Sequence, residues 1–183
     1  MAGTEPPVTS PVVPLQPGWS TRIPRDERVF TWLIVVVGVL MAAFSIGWLF
    51  FGSHNVPTRS ETTTTDAWAE KVAAWAGTHT DARGRAVVPP GEDGYIQAYR
   101  FGFYPETVVI KAGRPTTLWV SSVDVLHGWS IVGDGQNINL EIAPRHAFAA
   151  TITPDKPGTY LVVCNEYCGL QHHAMKARIV VEE

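Results

Sequence analysis

The sequence predicts a mostly β fold, an antiparallel sandwich or Greek-key barrel, preceded by one transmembrane helix. From Tyr95 onward, short β-branched and aromatic runs such as TVVIKAG and GTYLVVC alternate with Gly, Pro and Asp turns, which is typical of that architecture. An uncharged apolar stretch, residues 29–51, comes earlier and is long enough to cross a hydrocarbon core of roughly 30 Å. With 183 residues and a net charge of −3, the chain supports one domain with a sizeable core and gives no indication of a nucleic-acid partner.

The apolar stretch also predicts location and orientation. A cleaved signal peptide is the alternative, but the stretch exceeds a signal's apolar region of roughly 7–15 residues, and no small-residue cleavage site closes it. Basic residues are concentrated on its N-terminal side: Arg22, Arg25 and Arg28 precede it, and Arg59 follows. The positive-inside rule therefore predicts a single-pass cell-membrane protein with a cytoplasmic N-terminus and a domain on the outer, periplasmic or extracellular, face.

The chain divides into four predicted segments. Residues 1–28 are rich in proline and predict a disordered cytoplasmic tail. Residues 29–51 form the transmembrane helix, and residues 52–93 form a linker that contains a short amphipathic helix. Residues 94–183 form the β domain.

The short helix of the linker is predicted from an apolar stripe at helical spacing, formed by Trp68, Val72 and Trp75. Thr65 or Asp66 is the expected N-cap, and Gly77 the expected end. We expect the stripe to pack on the β domain, with contact to the membrane surface as the alternative.

Residues 164–175, CNEYCGLQHHAM, concentrate the sulfur and imidazole donors of the chain. They include both cysteines, Cys164 and Cys168, together with His172 and Met175. A disulfide is one interpretation, because an external compartment permits it. A zinc site is another, although a thioether is not a usual zinc ligand. Thiolate, imidazole and thioether together favour copper.

The second cysteine favours a dinuclear copper site over a mononuclear one. Two thiolates from one loop can each bridge two copper ions, with His172 bound to one ion and Met175 to the other. A further histidine must then come from elsewhere, and DVLHGWSI supplies His127 at the start of a predicted strand. His173 follows His172 directly and is expected to point away from the site.

The pattern C-x-E-x-C-G-x-x-H-x-x-M resembles the dinuclear CuA centre of the cytochrome c oxidase subunit II family, and DVLHGWSI resembles its upstream histidine motif. The resemblance covers nearly all of residues 94–183 and implies a cupredoxin fold. Carried over by position, it implies metal ligation by His127, Cys164, Cys168, His172 and Met175, and by the backbone carbonyl of Glu166.

Two finer expectations come from the same resemblance. The single predicted span, RFGFYP and GQNINLEI are similar to subunit II of the B-type heme-copper oxidases, whereas Glu166 is similar to the A-type enzymes. In the latter its carboxylate helps to hold Mg²⁺ at the contact with subunit I, a metal that prefers carboxylate oxygen. A solvated or hydrogen-bonded carboxylate is the alternative for Glu166.

Apolar residues are expected around the donors. Trp129, Tyr160 and Leu170 are predicted to exclude water from the site and to tune its potential. Phe101 and Phe103 are predicted to form part of an apolar docking patch, with core packing as the alternative for one of them.

The resemblance implies the electron-accepting subunit of a respiratory terminal oxidase. Such a subunit takes electrons from cytochrome c or a similar soluble donor and passes them to heme in subunit I, where oxygen is reduced. A CuA subunit of a nitric oxide or nitrous oxide reductase is the nearer alternative, and a copper-binding delivery module the more distant one. The short chain and the β pattern disfavour the nitrous oxide enzyme and the delivery module respectively.

Overall fold

The computed structural model describes residues 24–52, 57–133 and 136–183. It separates into two compact units, Met1–Ser53 and His54–Glu183, and each is described by itself. The predicted tail lies largely outside the described residues.

The described residues of the first unit, 24–52, form one helix, α1 (Arg25–Phe51). It begins four residues before the predicted apolar stretch, since the amide of Arg28 already donates to the Pro24 carbonyl at 3.1 Å. Asp26 and Glu27 lie in its first turn, where carboxylates interact favourably with the helix dipole. None of its side chains is buried, and it is long and apolar enough to cross a membrane, the one such helix in the described part of the chain.

The described residues of the second unit form two facing β-sheets, one helix and a short 3₁₀ turn. The first sheet has the strand order β1-β9-β6-β3-β4 and the second β2-β5-β11-β10-β7-β8. The strands are β1 (Arg59–Thr62), β2 (Ala86–Val87), β3 (Asp93–Tyr99), β4 (Gly102–Tyr104), β5 (Thr107–Lys111), β6 (Thr116–Ser122), β7 (His127–Gly133), β8 (Gln136–Ile142), β9 (His146–Ile152), β10 (Gly158–Val163) and β11 (Lys176–Glu182). Helix α2 (Thr65–His79) lies between β1 and β2, and the 3₁₀ turn is His172–Ala174.

The predicted mostly β fold of two sheets is confirmed, but the sheets are mixed where the sequence predicts antiparallel strands. The pairs β3–β6, β5–β11 and β2–β5 run parallel. Strand β6 is buried along nearly its whole length, as a strand covered on both faces is. The alternation of apolar and polar residues along a strand does not indicate whether the strand runs parallel or antiparallel to a partner that is distant in the sequence.

Part of the predicted linker belongs to the sheets. Strand β1 pairs antiparallel with β9, and β2 pairs parallel with β5. Helix α2 begins one residue earlier than expected, because Thr64 is the N-cap and its Oγ1 accepts the amide of Ala67 at 3.2 Å. It also continues past Gly77 to His79, so the expected end at Gly77 is wrong.

The predicted packing of α2 on the domain is confirmed. Trp68 and Val72 are fully buried, in a small cluster with Trp119, Ala147 and Ala149. The indole Nε1 of Trp68 donates to the carbonyl of Ile96 on β3 at 3.1 Å. Trp75 is partly buried against the main core, which lies between the two sheets.

The strand order of the second sheet brings the two donor segments together. Strand β10 pairs with β11 on one side and with β7 on the other. At the end of β10, Val163 lies opposite Ser130 of β7. The chain that leaves β10 therefore emerges beside the first residues of β7.

Candidate metal centre

The donor loop connects two adjacent antiparallel strands. It leaves β10 after Val163 and enters β11 at Lys176. The amide of Cys164 donates to the carbonyl of Met175 at 3.2 Å, which closes the base of the loop. The loop is thus tied at both ends to the second sheet, and its side chains are held over one end of the core.

The predicted donors lie in a continuous row. The Sγ atoms of Cys164 and Cys168 are 3.8 Å apart. His127 Nδ1 lies 3.8 Å from Cys164 Sγ, and His172 Nδ1 lies 3.7 Å from Cys168 Sγ. Met175 Sδ lies 3.8 Å from Cys168 Sγ. Two central sulfur atoms are therefore flanked by an imidazole nitrogen on each side and by a thioether.

His127 is held in one orientation by a carboxylate. It is fully buried at the start of β7, and its Nε2 lies 2.7 Å from Asp124 Oδ1. This contact directs Nδ1 toward Cys164. Burial alone would raise the pKa of Asp124, but hydrogen bonds from His127 and from the amides of Arg100 and Val125 outweigh it and lower the pKa.

The two cysteines are free thiols, both buried. Their separation of 3.8 Å is far longer than a disulfide bond of about 2.05 Å. Burial, followed by the hydrogen bond and charge of Cys164, raises the pKa of the Cys168 thiol to about 11. In the metal-free chain this thiol is therefore protonated at neutral pH, and a bound metal would replace its proton.

The donor set fits copper better than zinc. His127, Cys164 and Cys168 are close enough to bind a common ion, and Met175 adds a thioether on the same side of the core. Soft thiolate and thioether donors combined with imidazole are the copper-selecting set. The Glu166 carbonyl lies 3.2 Å from Cys164 Sγ, within the same cluster, while the Glu166 side chain is only half-buried.

The expected surroundings are only partly as predicted. Trp129 and Tyr160 are buried, but Leu170 is 88% exposed, so the prediction that it excludes water is wrong. Leu170 follows Gly169, whose φ of 135° belongs to a turn at the outer edge of the loop. Phe103 is buried in the core.

Phe101 covers the loop from the first sheet. A Cβ atom at Gly169 would lie 3.0 Å from the Phe101 ring, so ring and loop are in close contact. His173 is exposed, consistent with a position away from the donors. Asp124 was not identified from the sequence; its position three residues before His127 is the one available signal.

The comparisons with known proteins agree with this geometry. Residues 87–183 match the family described as cytochrome c oxidase subunit II, periplasmic domain. Cytochrome c oxidase subunit 2 of Thermus thermophilus is 36% identical over 102 residues, which cover 54% of this chain and 74% of that protein. Nitrous-oxide reductase of Stutzerimonas stutzeri is 28% identical over 92 residues, 48% of this chain but only 14% of that protein.

A solved structure supports the fold independently. A chain of a heme-copper terminal oxidase dimer, determined by cryo-EM, superposes with a TM-score of 0.54 at 22% identity and covers 87% of this chain and 100% of that one. Fold and donor set together define a cupredoxin-type copper protein. Within that class, the chain belongs to the cytochrome c oxidase subunit II family.

Proposed function

We infer that this chain is the electron-accepting subunit of a heme-copper terminal oxidase and that it holds a dinuclear CuA centre. The observation that carries the inference is the pair of buried thiols 3.8 Å apart, each with an imidazole Nδ1 within 3.8 Å. Two sulfur atoms placed between two imidazoles can bridge a pair of ions, whereas a mononuclear site of the blue-copper type needs one cysteine.

When bound, copper would supply a one-electron redox couple shared between two ions. Cys164 and Cys168 would bridge the ions, His127 and His172 would bind one ion each, and Met175 and the Glu166 carbonyl would be the weaker ligands. Trp129 and Tyr160, both buried, would keep water away from the copper ions and so help to set their reduction potential. Because these protein donors would surround the ions, little room would remain for a substrate to bind to them, which favours electron transfer.

The outer surface of the loop supports exchange with a soluble donor. Tyr167 is 76% exposed and Leu170 is 88% exposed, and the Tyr167 ring lies 5.8 Å from that of His172. An exposed apolar pair next to a buried redox site suits a transient contact with cytochrome c or a similar protein. Heme in subunit I would receive the electron, and oxygen reduction would occur there.

Three further features of the assembly are proposals of the same kind. The chain would cross the cell membrane once, through α1, with its copper domain on the outer face. It would be closest to the single-span subunit II of the B-type oxidases. The half-buried Glu166 side chain would contribute to a Mg²⁺ site at the contact with subunit I. No described feature favours a nitric oxide reductase or a delivery module.

Copper content and spectroscopy test the proposal directly. The reconstituted chain should contain two copper ions and be purple, and its mixed-valence EPR spectrum should show one electron shared by two copper nuclei. One copper ion per chain with a four-line spectrum would contradict the dinuclear assignment.

The orientation has a separate test. A reporter enzyme that is active only outside the cytoplasm, fused after Glu183, should be active in whole cells. Activity of a cytoplasmic reporter at the same position would overturn the orientation inferred from Arg22, Arg25 and Arg28.

A further inference from the structure

Asn165 links the donor loop to a strand that carries no donor. It follows Cys164 directly, and its Nδ2 donates to Oδ1 of Asn139 on β8 at 2.7 Å. Strand β7 lies between the loop and β8, because β10 pairs with one edge of β7 and β8 with the other. The side chain of Asn165 therefore crosses over β7 to reach its partner.

Gly128 makes this crossing possible. A Cβ atom at Gly128 would lie 1.9 Å from Asn165 Oδ1 and 2.7 Å from the backbone nitrogen of Asn165. Both distances are far below van der Waals contact, and the second involves backbone that cannot rotate away. Only glycine lets Asn165 lie directly against β7 in this position.

Two of these three residues adjoin donors in the sequence. Gly128 follows His127 in β7, and Asn165 follows Cys164 in the loop. The contact between Gly128 and Asn165 therefore fixes how closely the backbones of His127 and Cys164 approach each other. Their donor atoms, His127 Nδ1 and Cys164 Sγ, are 3.8 Å apart.

We propose that Gly128, Asn139 and Asn165 form a positioning element, here called the asparagine bridge, that sets the spacing between His127 and Cys164. The proposal rests on the copper site inferred above and assigns a role to three residues that would not bind metal. The bridge acts through the donors: Asn139 holds the Asn165 side chain, and bare backbone at Gly128 lets the loop come close.

Because the asparagine bridge is exposed, its effect on the donor spacing can be distinguished from an effect on the stability of the whole fold. Asn139 and Asn165 are both exposed, so water can replace their mutual hydrogen bond, and its loss should leave the global fold nearly unchanged. Water cannot restore the spacing of the donors, however, because it satisfies the asparagine side chains without holding the loop against β7. A change confined to the site is therefore expected.

The test compares variants of the full chain in detergent, with and without copper. Asn139→Ala and Asn165→Ala remove the hydrogen bond, and Gly128→Ala forces the loop away from β7. Asn139→Asp keeps an acceptor for Asn165 and is the rescue variant. Thr159→Ala, an exposed position at the opposite end of β10, is the matched control.

The alanine variants at Asn139 and Asn165 should retain two coppers and an unchanged thermal midpoint, but show shifted visible bands, copper hyperfine splitting and reduction potential. In the metal-free state, amide hydrogen exchange at Cys164 should become roughly fivefold faster, as expected when a local hydrogen bond is lost. Gly128→Ala should cause the largest spectral shift, or loss of the centre.

Asn139→Asp and Thr159→Ala should match the wild type in the spectra and in exchange. Wild-type spectra, potential and exchange in both Asn139→Ala and Asn165→Ala would overturn the proposal, even if Gly128→Ala failed to fold. A wild-type chain that bound no copper pair would instead contradict the proposed function, while the exchange measurement on the metal-free chain would still test the bridge.

Discussion

At the residue scale, the donors are expected to differ in how much each contributes to copper binding, according to the strength of the bond that it would make. Cys168 lies between Cys164, His172 and Met175, with contacts of 3.7–3.8 Å to each. Cys168→Ser should abolish the dinuclear centre, because a bridging thiolate is lost. Met175→Leu removes a weak thioether, so two coppers should remain and the reduction potential should change.

Metal analysis and EPR of the two variants distinguish these outcomes, with His173→Ala as the control since that side chain is exposed. Loss of all copper in Met175→Leu together with a native spectrum in Cys168→Ser would show that the bridging assignment is wrong. Loss of copper in His173→Ala, but not in His172→Ala, would show that the other histidine is the ligand.

Asp124 is expected to control the affinity of the site through His127. Its Oδ1 lies 2.7 Å from His127 Nε2, so Asp124→Ala frees the ring to rotate and leaves a buried N–H without its partner. Copper affinity should fall about 10–100-fold, as it does when a hydrogen-bonding partner of a metal ligand is removed. Competition with a chelator of known affinity measures the change.

Asp155→Ala, at an exposed aspartate, is the control for that loss of charge. Equal copper affinities for Asp124→Ala and the wild type would mean that the core alone orients His127.

Residue chemistry also explains which parts of the site could be predicted. Donor chemistry and spacing indicate five of the metal-site residues, His127, Cys164, Cys168, His172 and Met175, whereas the Glu166 carbonyl is implied only by the family resemblance. Asp124, Gly128 and Asn165 act through contacts with chain segments that are distant in sequence. An aspartate three residues from a histidine, or a glycine in a strand, is too common to indicate such a role.

At the element scale, α2 is expected to be a stabilising part of the domain. Trp68 is fully buried and donates to the Ile96 carbonyl, so Trp68→Ala should lower the free energy of unfolding by about 3–5 kcal/mol. Urea denaturation measures this, with Glu70→Ala on the exposed side of α2 as the control. A change below about 1 kcal/mol would show that α2 is an attachment without a role in folding.

The turn after α2 predicts that the stability of the domain depends on pH. Asp81 accepts the amides of Arg83 and Arg85 at 2.8 and 3.0 Å, and Arg85 also binds Glu182 of β11 at 2.9 Å. The backbone hydrogen bond from Arg85 is the main reason that the pKa of Asp81 lies below its usual 3.8. A lowered carboxyl pKa stabilises the fold above the unfolded pKa, and this contribution is lost as the pH falls through the folded value.

The stability difference between wild type and Asp81→Asn should therefore be largest at neutral pH and should shrink as the pH falls from about 5 to about 2. Unfolding in urea at each pH measures it, and Asp66→Asn at the first turn of α2 is the comparison. A difference that does not vary with pH would mean that the ionised carboxylate is not the cause.

The elements also show where sequence patterns stop being informative. Alternation and turns predict eight strand runs from Tyr95 onward, and these correspond to β3 to β11, except that the single run YIQAYRFGFYP is divided into β3 and β4. Strands β1 and β2 were assigned to the linker, because four or two residues show no alternation and become strands only through pairing with β9 and β5. The parallel pairs are not predictable from single strands either, because the relative direction of two strands depends on which strand becomes the partner.

At the scale of the whole molecule, the structure predicts the residue at which the folded domain begins. The amide of Thr58 donates to the Ala149 carbonyl at 2.8 Å, and β1 covers the edge of β9. A fragment that begins at residue 57 should be soluble and bind copper like the full chain. A fragment that begins at residue 64 lacks β1 and should be less stable by a few kcal/mol, on the order of the lost backbone hydrogen bonds.

The shorter fragment should also self-associate, because it exposes the unpaired edge of β9. Denaturation and light scattering compare the two fragments at equal concentration. If the two fragments have the same free energy of unfolding and the same monomeric mass in solution, β1 is dispensable and the domain begins at α2.

The position of β11 in the second sheet imposes an order of events on the maturation of the protein. β11 lies between β5 and β10, yet it follows every donor residue in the chain. Because the chain is synthesised from its N-terminus, His127 and both thiols are made before the strand that completes their sheet, and the base of the donor loop, where the Cys164 amide meets the Met175 carbonyl, can close only when β11 follows.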